Sequence, residues 1–187
     1  MSYRIDDTVY VVVALIFKTD PITQKTTILM QLRRPNGPRP NLWEMPGGKL
    51  EPIDSKQNPS NGLGEALQLL MTSNYNPERT QVCGLQRELQ EELGIAVAVG
   101  PEVARHIFKW KTRVFLTLYH CLIIEGEPIA KEAVKLEYVD LEDALENRPM
   151  APFQYETYAA VLEYIESYNK RLAVAKAVAA FSRGQAF

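Results

Sequence analysis

The sequence predicts an α/β/α sandwich, a mixed β-sheet flanked by helices. Three observations predict it. Runs of β-branched and aromatic residues fill the first part of the chain. A capped helical pattern then separates them from a second set of strand-like runs. A long helical pattern closes the sequence. Strands followed by a helix, then strands and a helix again, suit a sheet covered on both faces. A length of 187 residues suits a single domain, 1–187, and 46% hydrophobic residues can fill its core.

The elements follow in order. Val9–Phe17 is apolar and β-branched over strand length, and reads as a buried strand. Asp20-Pro21 opens a turn, and Thr26–Leu32 reads as the partner strand of a hairpin. Arg33 to Asn41 holds three prolines and a glycine, which mark an irregular loop. Trp43 and Met45 precede Gly47-Gly48, a pair that allows close approach of backbone to a ligand. An insertion occupies about 52–76, with a short helical pattern capped by Asn61 and striped by Leu63, Leu67, Leu70 and Met71. The stronger helix starts with Asn76 as cap and Pro77 as first residue, with Glu78 in its first turn. It runs to Leu93 and stops at Gly94. Strands are expected at Val103–Trp110, Thr112–Ile124 and Val134–Val139. Asp140-Leu141 opens a short helix through Leu145, which Pro149 and Pro152 break. A long terminal helix covers about 155–182. Tyr158, Val161, Leu162 and Ile165 line one stripe, and Leu172, Val174, Ala175, Val178 and Phe181 continue an apolar face. That face leaves two readings open, a homodimer through the helix or a tail that folds back.

Composition excludes some functions. Charged residues are 24% of the chain and the net charge is -2, so nothing marks a duplex nucleic-acid binder. A small anionic substrate stays open, because local charge decides that case. Cys83 and Cys121 form neither a CxxC pair nor a zinc pattern, and read as buried free thiols in a reducing compartment. The first residues, MSYRIDDTVY, lack the build of a signal peptide. Val9–Phe17 is too short to span a membrane. A cytoplasmic protein with no membrane contact is the expectation.

The informative segment is Arg87-Glu88-Leu89-Gln90-Glu91-Glu92-Leu93-Gly94-Ile95. Glu88 stands three residues before Glu91 and four before Glu92, so all three carboxylates share a helix face. Leu85, Leu89 and Leu93 lie opposite and anchor the helix. Spacing alone leaves two readings open. One is a solvated face, since glutamate is a good helix former and Arg79 and Arg87 can pair with it. The other is a site for a hard divalent cation, which wants several oxygen ligands and would relieve the repulsion.

The segment resembles the signature of the Nudix hydrolases. That pattern is a glycine, five residues, a glutamate, seven residues, then Arg-Glu, an aliphatic residue, any residue, Glu-Glu, any residue, Gly and an aliphatic residue. RELQEELGI, Arg87–Ile95, matches the second half, and LWEMPGGKLE, Leu42–Glu51, resembles the strand and loop before it. The likeness is greatest to MutT-like members, which convert nucleoside triphosphates to monophosphate and pyrophosphate. There is a departure. Gly48 and Arg87 lie 39 positions apart, against about fourteen in the family, so an insertion of 25 residues splits the signature. Counted back from Arg87, the position of the signature glutamate holds Arg79, with Glu78 next to it as a partial substitute, and the helix gains a turn at its start.

The resemblance implies roles. Glu88, Glu91 and Glu92 correspond to helix ligands for Mg2+, with Mn2+ as a substitute, and the carbonyl of Gly47 to a backbone ligand. Arg87 corresponds to a residue that orients a ligand carboxylate. Glu132, in the stretch Gly126–Val139, falls at the position of a further acid, with Glu127 competing. Glu91 or Glu132 is the candidate base. Arg33 and Arg34 resemble an arginine that approaches the phosphates, and Lys49 is a further candidate there. Base recognition falls to Phe153 and Gln154, since the asparagine common in MutT-like members is absent from RPMAPFQYE. Each of these has a plain reading as a core or surface residue. The implied activity is magnesium-dependent hydrolysis of a phosphoanhydride in a small nucleotide. The alternatives are a hydrolase of ADP-ribose or another nucleoside diphosphate linked to X, and a silent domain for ligand sensing or protein contact. The proline that ADP-ribose-cleaving members carry is missing near Lys111, which counts against the first alternative.

Overall fold

The computed structural model describes residues 4, 5, 8–23, 25–37, 39–51, 54, 79–109 and 112–182. The elements are β1 (Arg4–Ile5), β2 (Thr8–Leu15), β3 (Phe17–Thr19), β4 (Thr26–Leu32), β5 (Trp43–Glu44), β6 (Gly47–Lys49), α1 (Arg79–Leu93), β7 (Ala96–Lys109), β8 (Arg113–Glu125), β9 (Lys135–Asp140), α2 (Leu141–Asn147) and α3 (Pro152–Ser182). The strands form two sheets. A five-stranded sheet runs β1-β2-β8-β7, with β6 also on β2, and a four-stranded sheet runs β3-β4-β5, with β9 on the other side of β4.

The expected strand Val9–Phe17 is divided. Thr8–Leu15 pairs in parallel with β8, while Phe17–Thr19 pairs antiparallel with β4. The change of sheet falls at Ile16, whose carbonyl accepts from the Leu29 amide at 2.8 Å. So the hairpin is made by the short β3, not by the whole run. Its turn is held by Asp20, whose Oδ1 accepts from the amides of Ile22 and Thr23 at 2.8 and 2.7 Å.

Strand alternation gives the sandwich its two cores. From β2, Val13 and Leu15 face one side, with Ile28, Met30, Leu116 and Leu118. These pack against Ala144 of α2 and Tyr158, Val161 and Ile165 of α3. Val12 and Ala14 face the other side with Leu29, Tyr119 and Cys121, against Leu85, Leu89 and Leu93 of α1. Each leucine of α1 is fully buried, as the four-residue spacing demands.

Several boundaries differ from expectation. The strand placed at Val103–Trp110 starts at Ala96, because Gly100 and Pro101 lie where the pairing with β8 shifts register. Pro152 opens α3 instead of only ending α2, as its fixed φ and missing donor suit a first turn. Asp140 caps α2, accepting from the amides of Glu142 and Asp143. On α3, Leu162 is exposed and not part of the buried stripe, and Val174 is also exposed. Both cysteines are buried and free. The expected helix near Asn61, the start at Asn76–Glu78, and the side chains of Val178 and Phe181 lie outside the described residues. No described helix is long and apolar enough to cross a membrane.

Candidate active site

The site forms where α1 lies across the ends of β4 and β6. β6 runs antiparallel to β2, with Gly47 opposite Val13 and Gly48 opposite Val12. The Gly47 amide donates to Glu92 Oε2 at 3.3 Å, and Gln31 Nε2 of β4 donates to the same oxygen at 3.2 Å. One turn earlier on α1, the Glu88 carboxylate lies against Gly48. A Cβ at Gly48 would stand 2.2 Å from Glu88 Cδ, so only glycine lets the carboxylate settle there. Near them Glu44 of β5 is 3% exposed and pairs with Arg33.

Burial outweighs the compensation that these carboxylates receive. Burial, then the charge of Glu88, pushes Glu92 up to about 7, against the bonds from Gln31 and Gly47. Burial also raises Glu88, opposed by Arg87, and raises Glu44, opposed by Arg33 and Arg39. Buried charges of one sign cost free energy unless a counter-charge reaches them.

Arg87 is held from several sides. Its Nε donates to Asp54 Oδ1 at 2.8 Å and its Nη2 to Asp54 Oδ2 at 3.2 Å. Nη2 also donates to the Lys49 carbonyl at 3.1 Å and pairs with Glu88 Oε1 at 3.0 Å. Nη1 donates to Glu91 Oε2 at 2.9 Å. The bonds to Asp54, ahead of the nearby charges, raise the Arg87 pKa despite burial. Asp54 is wholly buried, and its Oδ2 also accepts from the Glu51 amide at 2.7 Å.

Asp54 is the acid the sequence reading missed. It stands six positions after Gly48, where the Nudix pattern places its glutamate. The insertion therefore falls after this acid, not before it. Counting forward from the glycine finds Asp54, whereas counting back from Arg87 lands on Arg79. Glu44 was missed as well. Its only signal was a charged residue between Trp43 and Met45, in an otherwise apolar stretch.

The structure brings some expected residues together and separates others. Glu92 and Glu132 line one cleft of ≈ 220 Å³, with Gln31, Arg33, Arg34 and Glu44. Glu91 turns out of it onto Arg87, with 56% of its side chain exposed. Arg33 is engaged by Glu44, and Arg34 Nη2 donates to the Lys131 carbonyl at 2.7 Å. The Lys49 side chain is exposed while its carbonyl holds Arg87. Phe153 and Gln154 lie in the first turn of α3, and their side chains fall outside the described residues. Glu127 is exposed.

Among the described residues no three His, Cys, Asp or Glu side chains form a ready cation cage. The donor set still suits a hard cation. Glu88 and Glu92 are half-buried oxygen donors one turn apart, each held above the ordinary carboxylate range by burial. A divalent ion there would add the counter-charge that, of this pair, Arg87 gives to Glu88 alone.

The NUDIX domain family matches residues 9–161. A CTP pyrophosphohydrolase of Escherichia coli (strain K12) is 31% identical over 126 residues, 67% of this chain and 74% of that protein. The solution structure of the E. coli ORF135 protein superposes with a TM-score of 0.58 at 27% identity, covering 83% of this chain and 89% of that one. The NUDIX domain of Shewanella oneidensis NrtR, solved with ADP ribose, superposes with a TM-score of 0.53 at 15% identity, covering 84% and 88%. This last likeness concerns the fold alone.

Proposed function

The chain belongs to the NUDIX family, and on that premise we propose that it converts a nucleoside triphosphate to the monophosphate and pyrophosphate, dependent on Mg2+. Hydrolysis of a phosphoanhydride bond in a nucleotide is the activity the family supports. The observation that carries the proposal is the pair Glu88 and Glu92, one turn apart and half-buried beside Gly47-Gly48, where Arg87 pairs with Glu88 while Glu92 is met by the neutral donors Gln31 and Gly47.

Glu88, Glu92 and the Gly47 carbonyl would hold Mg2+, which when bound neutralises phosphate charge and lowers the pKa of water. The protein's own groups supply the rest. Gln31 and the Gly47 amide fix one oxygen of Glu92. Asp54 and the Lys49 carbonyl fix Arg87, which in turn steadies Glu88. Water attacks, its proton passes to a carboxylate, and the bond between the α- and β-phosphates breaks. Glu132 is the better placed base, because it shares a cleft with Glu92 while Glu91 is spent on Arg87. Arg33 and Arg34 border that cleft and suit phosphate oxygens, once released from Glu44 and the Lys131 carbonyl.

CTP comes first among substrates to try, since the relative above is named for it. The test is product analysis with Mg2+: monophosphate and pyrophosphate from nucleoside triphosphates, and monophosphate with the phosphorylated partner from ADP-ribose and nucleoside diphosphates linked to X. Turnover of triphosphates supports the reading. Turnover only of ADP-ribose or another linked diphosphate overturns the substrate class. Tight binding with no turnover of any member overturns the enzyme.

A further inference from the structure

The last carbonyls of α1 have no partners within the helix. Here they are met by the segment that follows β8. The Ile129 amide donates to the Leu93 carbonyl at 3.0 Å, and the Lys131 amide to the Glu92 carbonyl at 3.0 Å. Lys131 Nζ donates at 3.0 Å to the Gln90 carbonyl, which also accepts from the Gly94 amide at 3.1 Å. The ammonium thus sits at the negative end of the helix dipole. The third polar group of Lys131, its carbonyl, accepts from Arg34 at 2.7 Å. Beyond Glu132, the Val134 amide closes onto the Leu32 carbonyl at 2.9 Å, at the end of β4.

Gly94 makes room for this arrangement. It takes φ +72 to end α1, and a Cβ there would stand 2.9 Å from Lys131 Cε. The lysine stem therefore crosses directly over the helix stop. The ammonium points at the helix end and away from the cleft, so it is not a phosphate ligand in this arrangement. The next residue, Glu132, lines the cleft with Glu92.

We infer that Lys131 is a positioning residue: it clasps the acidic loop to the end of α1 and so sets Glu132 against Glu92. The consequence for turnover rests on the hydrolase reading, while the clasp does not. The experiment uses the full chain with K131M, which keeps the stem over Gly94, and K131R, which keeps a donor. Hydrogen exchange of K131M should speed up about tenfold at the amides of Ile129 and residue 131, with β2 and β8 unchanged. Turnover of the best nucleotide should lose about tenfold in kcat, KM should move less than about twofold, and K131R should recover most of the loss. In an E132Q background K131M should add less than about a further twofold, because its effect passes through Glu132. Unchanged exchange at Ile129 overturns the clasp. An undiminished K131M effect in E132Q overturns the route through Glu132. Faster exchange in a protein that turns over no nucleotide upholds the clasp and sinks the hydrolase reading alone.

Discussion

Each face of the sheet layer holds a shielded titratable side chain, and the two are treated in opposite ways. On the α3 face His120 is 1% exposed. Its Nδ1 meets the Tyr164 hydroxyl at 2.9 Å, and its ring stacks on Phe17 at 4.8 Å and against the edge of Tyr168 at 4.9 Å. Burial, with help from the charge of Arg171, pushes it down to about 4, so it stays neutral. On the α1 face Glu92 is packed beside Glu88 and Glu44, and is pushed up to about 7. A buried neutral group with a partner is a solved problem in packing. An acid half-buried beside two others and met by neutral donors is not, and folding alone gives no reason to keep it. The comparison teaches that a buried polar residue points to function when its surroundings oppose its charge and the chain nevertheless retains it.

The largest expected effect lies on the α1 face. E92Q should lower hydrolysis by about 100-fold or more if Glu92 is the Mg2+ ligand proposed above. The metal-free variant should also melt higher than the parent at pH 8, because an uncompensated charge is gone. Normal turnover by E92Q would break the contrast between the faces. Next comes Asp54→Ala, which leaves Arg87 without its buried partner. It should cost about 3 kcal/mol in denaturant unfolding, and a loss under about 1 kcal/mol would show that Glu88, Glu91 and the Lys49 carbonyl suffice.

A smaller effect is expected on the α3 face. Tyr164→Phe removes the hydroxyl from His120 and should cost about 1–2 kcal/mol of stability with kcat unchanged. A change in kcat there would blur the division between a structural face and a chemical one.

The smallest and sharpest check is pH. A carboxyl whose folded pKa is raised is protonated in the folded state before the unfolded one, so its burden on stability appears as pH rises from 4.5 to about 7. The stability gain of E92Q over the parent, both metal-free, should therefore grow across that window. A histidine whose folded pKa is lowered has the reverse sign. The unfolded chain binds the proton first, so stability is lost as pH falls from 6.5 towards about 4. His120→Phe should gain on the parent as pH falls through that window. Two differences of the same sign, read from thermal melts, would overturn the contrast.

Much was legible in the sequence because it rests on local spacing. The leucines of α1, the three acids on one edge, the stop at Gly94 and the cap at Asp140 all follow from helical geometry. The failures came where a residue's partner is distant in the chain. Arg33 and Arg34 look like a free cationic pair until Glu44 and the Lys131 carbonyl claim them. Asp54 reads as a loop acid until it meets Arg87, 33 positions on. The break at Ile16 is invisible in an unbroken apolar run, because periodicity does not say which sheet a strand joins.

The sequence by itself determined the sandwich and the helix that carries Glu88, Glu91 and Glu92. Repeat distance along one backbone is enough to decide which side chains share an edge. Only the tertiary structure decided that Glu88 and Glu91 go to Arg87, that Glu92 is met by the neutral donors Gln31 and Gly47, and that Glu132 lines a cleft with Glu92. Burial and ion pairing depend on which distant segments meet, and spacing along the chain holds no record of that.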